Sequence, residues 1–351
     1  MRGIFHPEVF MLVRIVTVLF IALQTDCGYA GDYGYIDSVM RICPVQRTRS
    51  AEDIAKYIKS KFSSENDRLR AAYSWVAQNI AYDIGKMYVS LTYKHESEVV
   101  RQVLQTRRTV CFGYVVTFKA IAENLGINTV TVKGYTKQNG RIDAIPHAWC
   151  AVKYSGEWRL IDPTWSAGYL SSGVFHRRFN DKWFLVHPDR IIKSHFPFDP
   201  VWQFSYFPVN GSEFAAGTGA DSITSRFFSY PDTLKIIEQL PEKERLVAEN
   251  RRVLSMGDGN HMTAKYVESN KKLVEHIVHN ENVNIYNKAV NAYNMASSMF
   301  NKNNPEAVRL QLNEASETLN SIQNPDKEMS ASTRDLKQRI SKLKSQTEKM
   351  L

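Results

Sequence analysis

What this chain has little of narrows its role first. Cysteine is scarce, four in 351 residues. A long apolar run is missing: Ile15–Leu23 holds nine residues, where a spanning helix needs about twenty, so no stable membrane span is expected. There is no glycine-rich phosphate loop; the stretch Gly211 to Gly219 is small and polar and reads as a linker. No basic block interleaves with aromatics. The net charge of +9 and pI near 9.2 therefore speak for mild general basicity, compatible with an acidic wall or a membrane surface, and not for nucleic acid. Metal-ligand spacing is missing too. His187 and His195 are interrupted by Pro188 and Pro197, and His276 and His279 share a helix face without a carboxylate or cysteine set, which reads as a solvated face. Neither metal nor cofactor is expected.

An apolar content of 43% is that of an ordinary soluble globular protein, with room for one large or two small domains. The N-terminus reads as a secretory signal over residues 1–30. Arg2 and Arg14 precede the apolar run, and Gly28-Tyr29-Ala30 offers small residues for cleavage near Ala30. Met11 is an alternative start. Cys27 sits where a lipoprotein cysteine would, but Asp26 before it fits poorly. A secreted or periplasmic protein is the expectation. Past the signal, Cys43, Cys111 and Cys150 remain. An odd number in an oxidising compartment leaves one thiol free. A Cys43–Cys150 disulfide is an open pairing without geometric support.

What is there is a cysteine, a histidine and an aspartate in contexts that suit catalysis. Cys111, Val115, Phe118, Ala122 and Leu125 recur at helical spacing, and Gly126 supplies a stop. Cys111 thus falls in a first helical turn, where unpaired amides and the helix dipole favour a thiolate, with Arg107 and Arg108 adding positive potential. Strands Ala148–Tyr154 and Glu157–Ile161 flank the two-residue turn Ser155-Gly156. Tyr154 then pairs with Glu157, Trp149 with Asp162 and His147 with Thr164. Residues two apart share a face, so His147, Trp149, Asp162 and Thr164 line one side, with His147 and Asp162 as diagonal neighbours. The same register points Cys150 the other way, beside Ile161, as core packing. A thiol nucleophile needs a base, and the base an orienting carboxylate, which Cys111, His147 and Asp162 can supply.

These words resemble the transglutaminase-like core of the papain-like superfamily, over roughly Asp67 to Gln203. The match begins with R-L-R-A-A-Y-S-W-V-A-Q-N-I-A-Y-D, where Leu69, Tyr73, Val76 and Ile80 form an apolar stripe. It continues through V-C-F-G-Y, T-V-T-V-K-G-Y, P-H-A-W and I-D-P-T-W. The block W-F-L-V-H-P-D-R-I-I-K-S-H-F-P-F-D-P-V-W-Q-F is similar to the kyphoscoliosis-peptidase-like branch. The resemblance implies an α+β fold, with N-terminal helices packed on an antiparallel sheet and an all-α C-terminal region after it. It implies cysteine-dependent acyl transfer on a peptide or protein amide by Cys111, His147 and Asp162. Trp165, Phe112 and Trp149 are the expected substrate-contacting side chains. Animal transglutaminases carry tryptophan where Phe112 stands, and they have calcium sites and a four-domain layout that this chain is too short to hold. Hydrolysis is therefore favoured over crosslinking. The Cys111 amide is one candidate oxyanion donor; Gln102 and Tyr82 are both open as the second.

The organisation read from the chain is a signal (1–30), an N-terminal segment (31–65) with a flap over the site as its open role, a catalytic core (66–210), a linker (211–225) and a helical region (226–351). Tryptophan vanishes after Trp202. Ile285, Ala289, Tyr293, Ala296 and Phe300 form one stripe, Pro305 opens a helix striped by Val308, Leu312, Ala315 and Leu319, and Leu336, Ile340 and Leu343 make a third. These helices read as a bundle that packs on itself and on the core, with a partner-binding module as the alternative.

Overall fold

The computed structural model describes residues 32–88, 95–218, 227–257 and 259–350. The signal read over 1–30, Cys27 and residues 219–225 of the expected linker lie outside these. Helices α1 (Gly34–Arg41), α2 (Ala51–Lys61) and α3 (Glu65–Asn79) lead to a short strand, β1 (Ala81–Tyr82). Helix α4 (Glu96–Thr106), strand β2 (Arg108–Thr109) and helix α5 (Cys111–Asn124) follow. The main sheet holds β3 (Thr129–Gln138), β4 (Arg141–Ile142), β5 (His147–Tyr154) and β6 (Glu157–Ile161). Then come α6 (Pro163–Ala167), the hairpin β7 (Gly168–Ser171) and β8 (Val174–Arg177), α7 (Pro188–Ile191) and β9 (His195–Pro197), which returns to pair with β3. The rest is helical: α8 (Gly211–Ala216), α9 (Tyr230–Ile237), α10 (Glu242–Ser255), α11 (His261–Phe300), α12 (Pro305–Asn320) and α13 (Lys327–Glu348). The fold is α+β, an antiparallel sheet with helices packed on it and a helical C-terminal region.

Helix α5 is the centre of the core. Val115, Phe118 and Ala122 are buried as its stripe requires, but so are Tyr114, Val116, Thr117 and Ile121, because α2, α3, α4 and β5 surround it. Each large apolar side chain so enclosed contributes about 1.5–3 kcal/mol. The helix ends as Gly126 predicts. Gly126 adopts φ 85°, its amide bonds the Glu123 carbonyl, and the Ile127 amide bonds that of Ala122 at 2.9 Å, which satisfies the last carbonyls. Helix α3 is likewise buried through Leu69–Ala77, more than one stripe.

The segment 31–65 belongs to this core. Met40, Ile54 and Ile58 join the same apolar cluster as α5. Arg70 of α3, 2% exposed, makes a two-pronged ion pair with Asp37 of α1 at 2.9 and 2.6 Å. Tyr33, Tyr73, Phe179 and Phe184 surround its guanidinium. Residues 211–216, read as linker, are a helix. Asn210 and Glu213 form a reciprocal capping box, and Phe214 packs on Tyr135 and Phe196 of the sheet. Helix α10 is tied to the core by Arg252, which grips Asp199 at 2.9 and 2.6 Å.

Beyond this, α12, α13 and the C-terminal half of α11 form a bundle. The expected stripes supply its interior, from Ala289 and Ala296 through Leu312 to Leu343. Pro305 is the first residue of α12, as read from the sequence. Among the described residues no helix is long and apolar enough to cross a membrane.

Candidate active site

Cys111 is the first residue of α5, half-buried, and Val110 before it offers no side-chain cap. The amides opening the helix therefore stay available beside the sulfur. Strand β2 holds this start in place by pairing parallel to β1, with Thr109 opposite Tyr82. The close packing requires Gly113, since a Cβ there would lie 2.0 Å from Thr109 Oγ1. Arg107 and Arg108 each have partners other than Cys111. Arg107 ends α4 in the left-handed region at φ 55°, which turns its guanidinium onto the Trp75 ring (4.7 Å) and the Thr48 hydroxyl (2.5 Å). Arg108 faces Asp83 at 4.0 Å.

The strand register is as read. Tyr154 pairs with Glu157 and Cys150 with Ile161, and the turn residues Ser155 and Gly156 both have positive φ, 50° and 84°. The pairing then stops. Asp162 leaves β6 to cap α6, so Thr164 is helical and His147 pairs instead with Gly134 of β3. His147 and Asp162 meet nonetheless: His147 Nε2 lies 2.8 Å from Asp162 Oδ2. Cys111 lies close enough to His147 for the two to interact electrostatically. The structure thus brings the sequence-predicted His147 and Asp162 into contact and places Cys111 within electrostatic reach of His147.

Asp162 is fully buried and fully engaged. Its Oδ1 accepts the Thr164 and Trp165 amides at 2.8 and 3.1 Å. Its Oδ2 accepts His147 and a second imidazole, that of His195, at 3.1 Å. The Ser166 hydroxyl donates to the Asp162 carbonyl at 2.6 Å, and Tyr73 Oη of α3 lies 2.6 Å from Ser166 Oγ. Burial alone would push the Asp162 carboxyl up, but the His147 charge and hydrogen bond, with the His195 hydrogen bond, hold it well below the usual carboxylate range. Burial would lower His147, yet the Asp162 carboxylate outweighs it and, with Cys111, raises His147 to about 10. His195 is lowered by burial, against the pull of Asp162. Near neutral pH the site holds one imidazolium, one carboxylate and one neutral imidazole.

An open cleft of about 960 Å³ lies over His147, with Tyr82, Trp165, Trp183 and the β7–β8 hairpin in its walls; Cys111 and Asp162 do not line it. Trp165 lies 5.7 Å from the His147 ring. The other two expected substrate contacts are placed elsewhere. Trp149 is 1% exposed and floors both imidazoles, 6.2 Å from His147 and 5.1 Å from His195, leaving no surface for a ligand. Phe112 packs half-buried on the core and does not line the cleft. Of the two open oxyanion donors, Tyr82 lines the cleft and feels the Cys111 charge, whereas Gln102 does not line it. Burial and then Cys111 push the Tyr82 phenol above its usual range, so it stays a proton donor.

The described cysteines are all free thiols, so the Cys43–Cys150 pairing does not form. Cys150 sits under α5 with its sulfur 3.8 Å from the Val115 carbonyl, the core role read for it. Cys43 lies beside Arg107, and burial pushes its thiol up to about 11 against that guanidinium. His147, Asp162 and His195 are the one group among the described residues with their potential ligand atoms clustered, within 4.8 Å. Both imidazoles already bond a single carboxylate oxygen. His279 has a carboxylate partner after all, Asp326, at 2.9 Å across the bundle surface.

Residues 52–163 match the transglutaminase-like superfamily. Kyphoscoliosis peptidase of Mus musculus is 32% identical over 161 residues, 43% of this chain and 24% of that protein. Its Homo sapiens counterpart is 29% identical over 171 residues, 46% of this chain and 25% of that protein. The chain therefore spans about a quarter of the length of these relatives. A solved structure of a TGase shares 22% identity with a TM-score of 0.27, covering 48% of this chain and 40% of that one.

Proposed function

On the premise that residues 52–163 form a transglutaminase-like domain, we propose that this protein is a cysteine-dependent acyl-transfer enzyme acting on peptide or protein amides, in the hydrolytic direction. The observation that carries this is His147, 2.8 Å from Asp162, with Cys111 opening helix α5 within electrostatic reach of the imidazole. Support also comes from the two mammalian relatives, which are named as peptidases.

In this reading the Cys111 sulfur, its proton already on His147, attacks the carboxamide carbon. The carbonyl electron pair moves to oxygen, where the amide opening α5 and the Tyr82 hydroxyl are the donors. His147 then gives its proton to the departing amine as the C–N bond breaks, leaving a thioester on Cys111. Neutral His147 next takes a proton from water, hydroxide adds to the thioester, and collapse returns the acid and the free thiol. Asp162 remains ionised throughout and holds the imidazole in place. Trp165 and Trp183 limit water at the reacting bond. Export from the cytoplasm belongs to the same reading and rests on the N-terminal charge and apolar pattern.

The test is peptide-amide profiling of the full chain, with and without a lysine-like amine. Release of free acid, abolished by Cys111→Ala and by His147→Ala, is the expected result. Incorporation of the amine in preference to water would make the enzyme a crosslinking transglutaminase. Equal product from wild type and Cys111→Ala would sink the enzymatic reading and turn attention to the helical region as a binding module.

A further inference from the structure

Asp162 receives two imidazoles on one oxygen, and the acyl-transfer chemistry uses only one. The second, His195, is fully buried. It arrives on β9, where His195 stands opposite Thr136 of β3. Its approach depends on Gly134, where a Cβ would lie 2.0 Å from the Phe196 carbonyl oxygen. Trp149, Trp165 and Trp183 enclose its ring at 5.1, 4.5 and 5.0 Å. Ser194 Oγ closes the far end, 2.8 Å from Nδ1.

This surrounding dictates a protonation state. A carboxylate only accepts, so His195 carries its proton on Nε2; Nδ1 accepts the Ser194 hydroxyl at 2.8 Å, for which the Ile191 carbonyl at 3.3 Å is the longer, competing acceptor. The charged groups facing it are Asp162, His147 and, more distantly, Asp143, which is itself held by the Thr136 hydroxyl at 2.5 Å. A second imidazolium would stand 5.7 Å from the first inside an indole box, without water to solvate it.

We propose that His195 is a positioning residue, a neutral buried donor that fixes Asp162 Oδ2 toward His147 without adding a second positive charge to the site. The inference rests on the reading of Cys111, His147 and Asp162 as the reacting set. With Oδ1 held by two amides and Oδ2 by two imidazoles, the carboxylate has no free lone pair directed at solvent and no rotation that keeps its partners. His147 is thereby aimed before any substrate arrives.

The test needs no substrate: alkylation of Cys111 in the full chain by iodoacetamide, followed from about pH 5 to about pH 9 through the mass of the Cys111 peptide. Glutamine is a neutral donor at every pH and leucine has nearly its volume with no donor. We expect His195→Gln to stay within about threefold of wild type with a superimposable pH profile, and His195→Leu to slow by about tenfold, the worth of one hydrogen bond to a charged group. Should the leucine variant fail to fold, His195→Ala takes its place as the donor-free variant, and a slow rate or a lost limb in the glutamine variant overturns the proposal by itself. Equal rates in the two variants overturn it as well. His147→Ala is the control for the underlying reading. If it leaves alkylation unchanged, the reacting set itself is wrong and this inference falls with it; if it slows alkylation while glutamine and leucine behave alike, only the role of His195 is refuted.

Discussion

Two aspartates in this molecule have the same local wiring. Asp162 caps α6 through Oδ1 and bonds histidine through Oδ2. Asp326 caps α13 through Oδ1, accepting the Met329 amide at 2.8 Å, and meets His279 through Oδ2 at 2.9 Å. The contact distances barely differ; the surroundings do. Asp162 has 0% side-chain exposure under three tryptophans, whereas Asp326 and His279 are 50% and 48% exposed on the bundle surface. Water competes for every bond of the second pair and screens its charges, while the first pair has only protein partners. Enclosure is therefore what sets the proposed reacting set apart, since the hydrogen bonds alone would not tell the two arrangements apart.

The largest expected effect comes from making the buried aspartate resemble the exposed one in consequence. Asp162→Asn keeps the shape, but its Nδ2 would face imidazole donors and the charge holding His147 as a cation is lost. Turnover, or Cys111 alkylation near neutral pH, should drop by about 1,000-fold. A variant within a factor of ten of wild type would mean that His147 is oriented by its tryptophan neighbours instead.

Next in size is a change in the bundle that touches no polar group. Leu312 is fully buried between α11 and α13. Leu312→Ala should cost about 2–5 kcal/mol of stability in the bundle, seen by thermal or denaturant unfolding, and leave the Cys111 alkylation rate as it was. A matching loss of alkylation would show that the bundle and the site are one cooperative unit.

Smaller still is the dependence of stability on pH, in which the two buried histidines act with opposite sign. His147 is raised from 6.5 to about 10 in the folded chain. Its contribution is full below about pH 6.5 and is lost as pH rises toward 10, because the folded state holds a proton that the unfolded chain releases. His195 is lowered from 6.5. The unfolded chain then binds a proton that the folded site refuses, so stability falls as pH drops below about 6.5. His195→Gln should flatten the acid side of a melting-temperature profile and leave the alkaline fall in place. An unchanged acid side would mean that His195 is protonated in the folded site.

The alkaline and acid limbs also differ in how readable they were. His147 and Asp162 could be set side by side from a two-residue turn and the alternation of strands, because the pairing is local, fifteen residues apart. Cys111 could be placed from helix period and Gly126. His195 could not. It reaches Asp162 from 33 residues away on a three-residue strand with proline at its end, too short for alternation to register. The one signal was a histidine inside an unbroken apolar run, His195-Phe196-Pro197-Phe198, every member of which is buried. The direction of Arg107 was not legible either, because it depends on a left-handed backbone turn at a non-glycine residue, to which composition gives no clue. The helix at 211–216 had its marker, Asn210 three residues before Glu213, outweighed by the small residues after it.

The smallest predicted effect closes the comparison between the aspartates. Asp326→Asn keeps the capping oxygen for the Met329 amide and removes only the charge facing His279. The Asp326 carboxyl is held below its usual range first by the Met329 amide, against the opposing effect of desolvation, with His279 contributing less. The capping bond, which asparagine can reproduce, is thus the leading interaction, and the ion pair is exposed and screened. The melting temperature should move by no more than about 2 °C, with Cys111 alkylation unaltered. Raising the salt concentration should shrink even that difference, since the Debye length falls to about 3 Å at 1 M. The same salt series on Asp162→Asn should leave its defect in place, because no ion can enter the tryptophan-lined box around His195. A salt-sensitive defect at Asp162 would mean that water reaches its carboxylate, and the distinction between the two aspartates would then be one of degree.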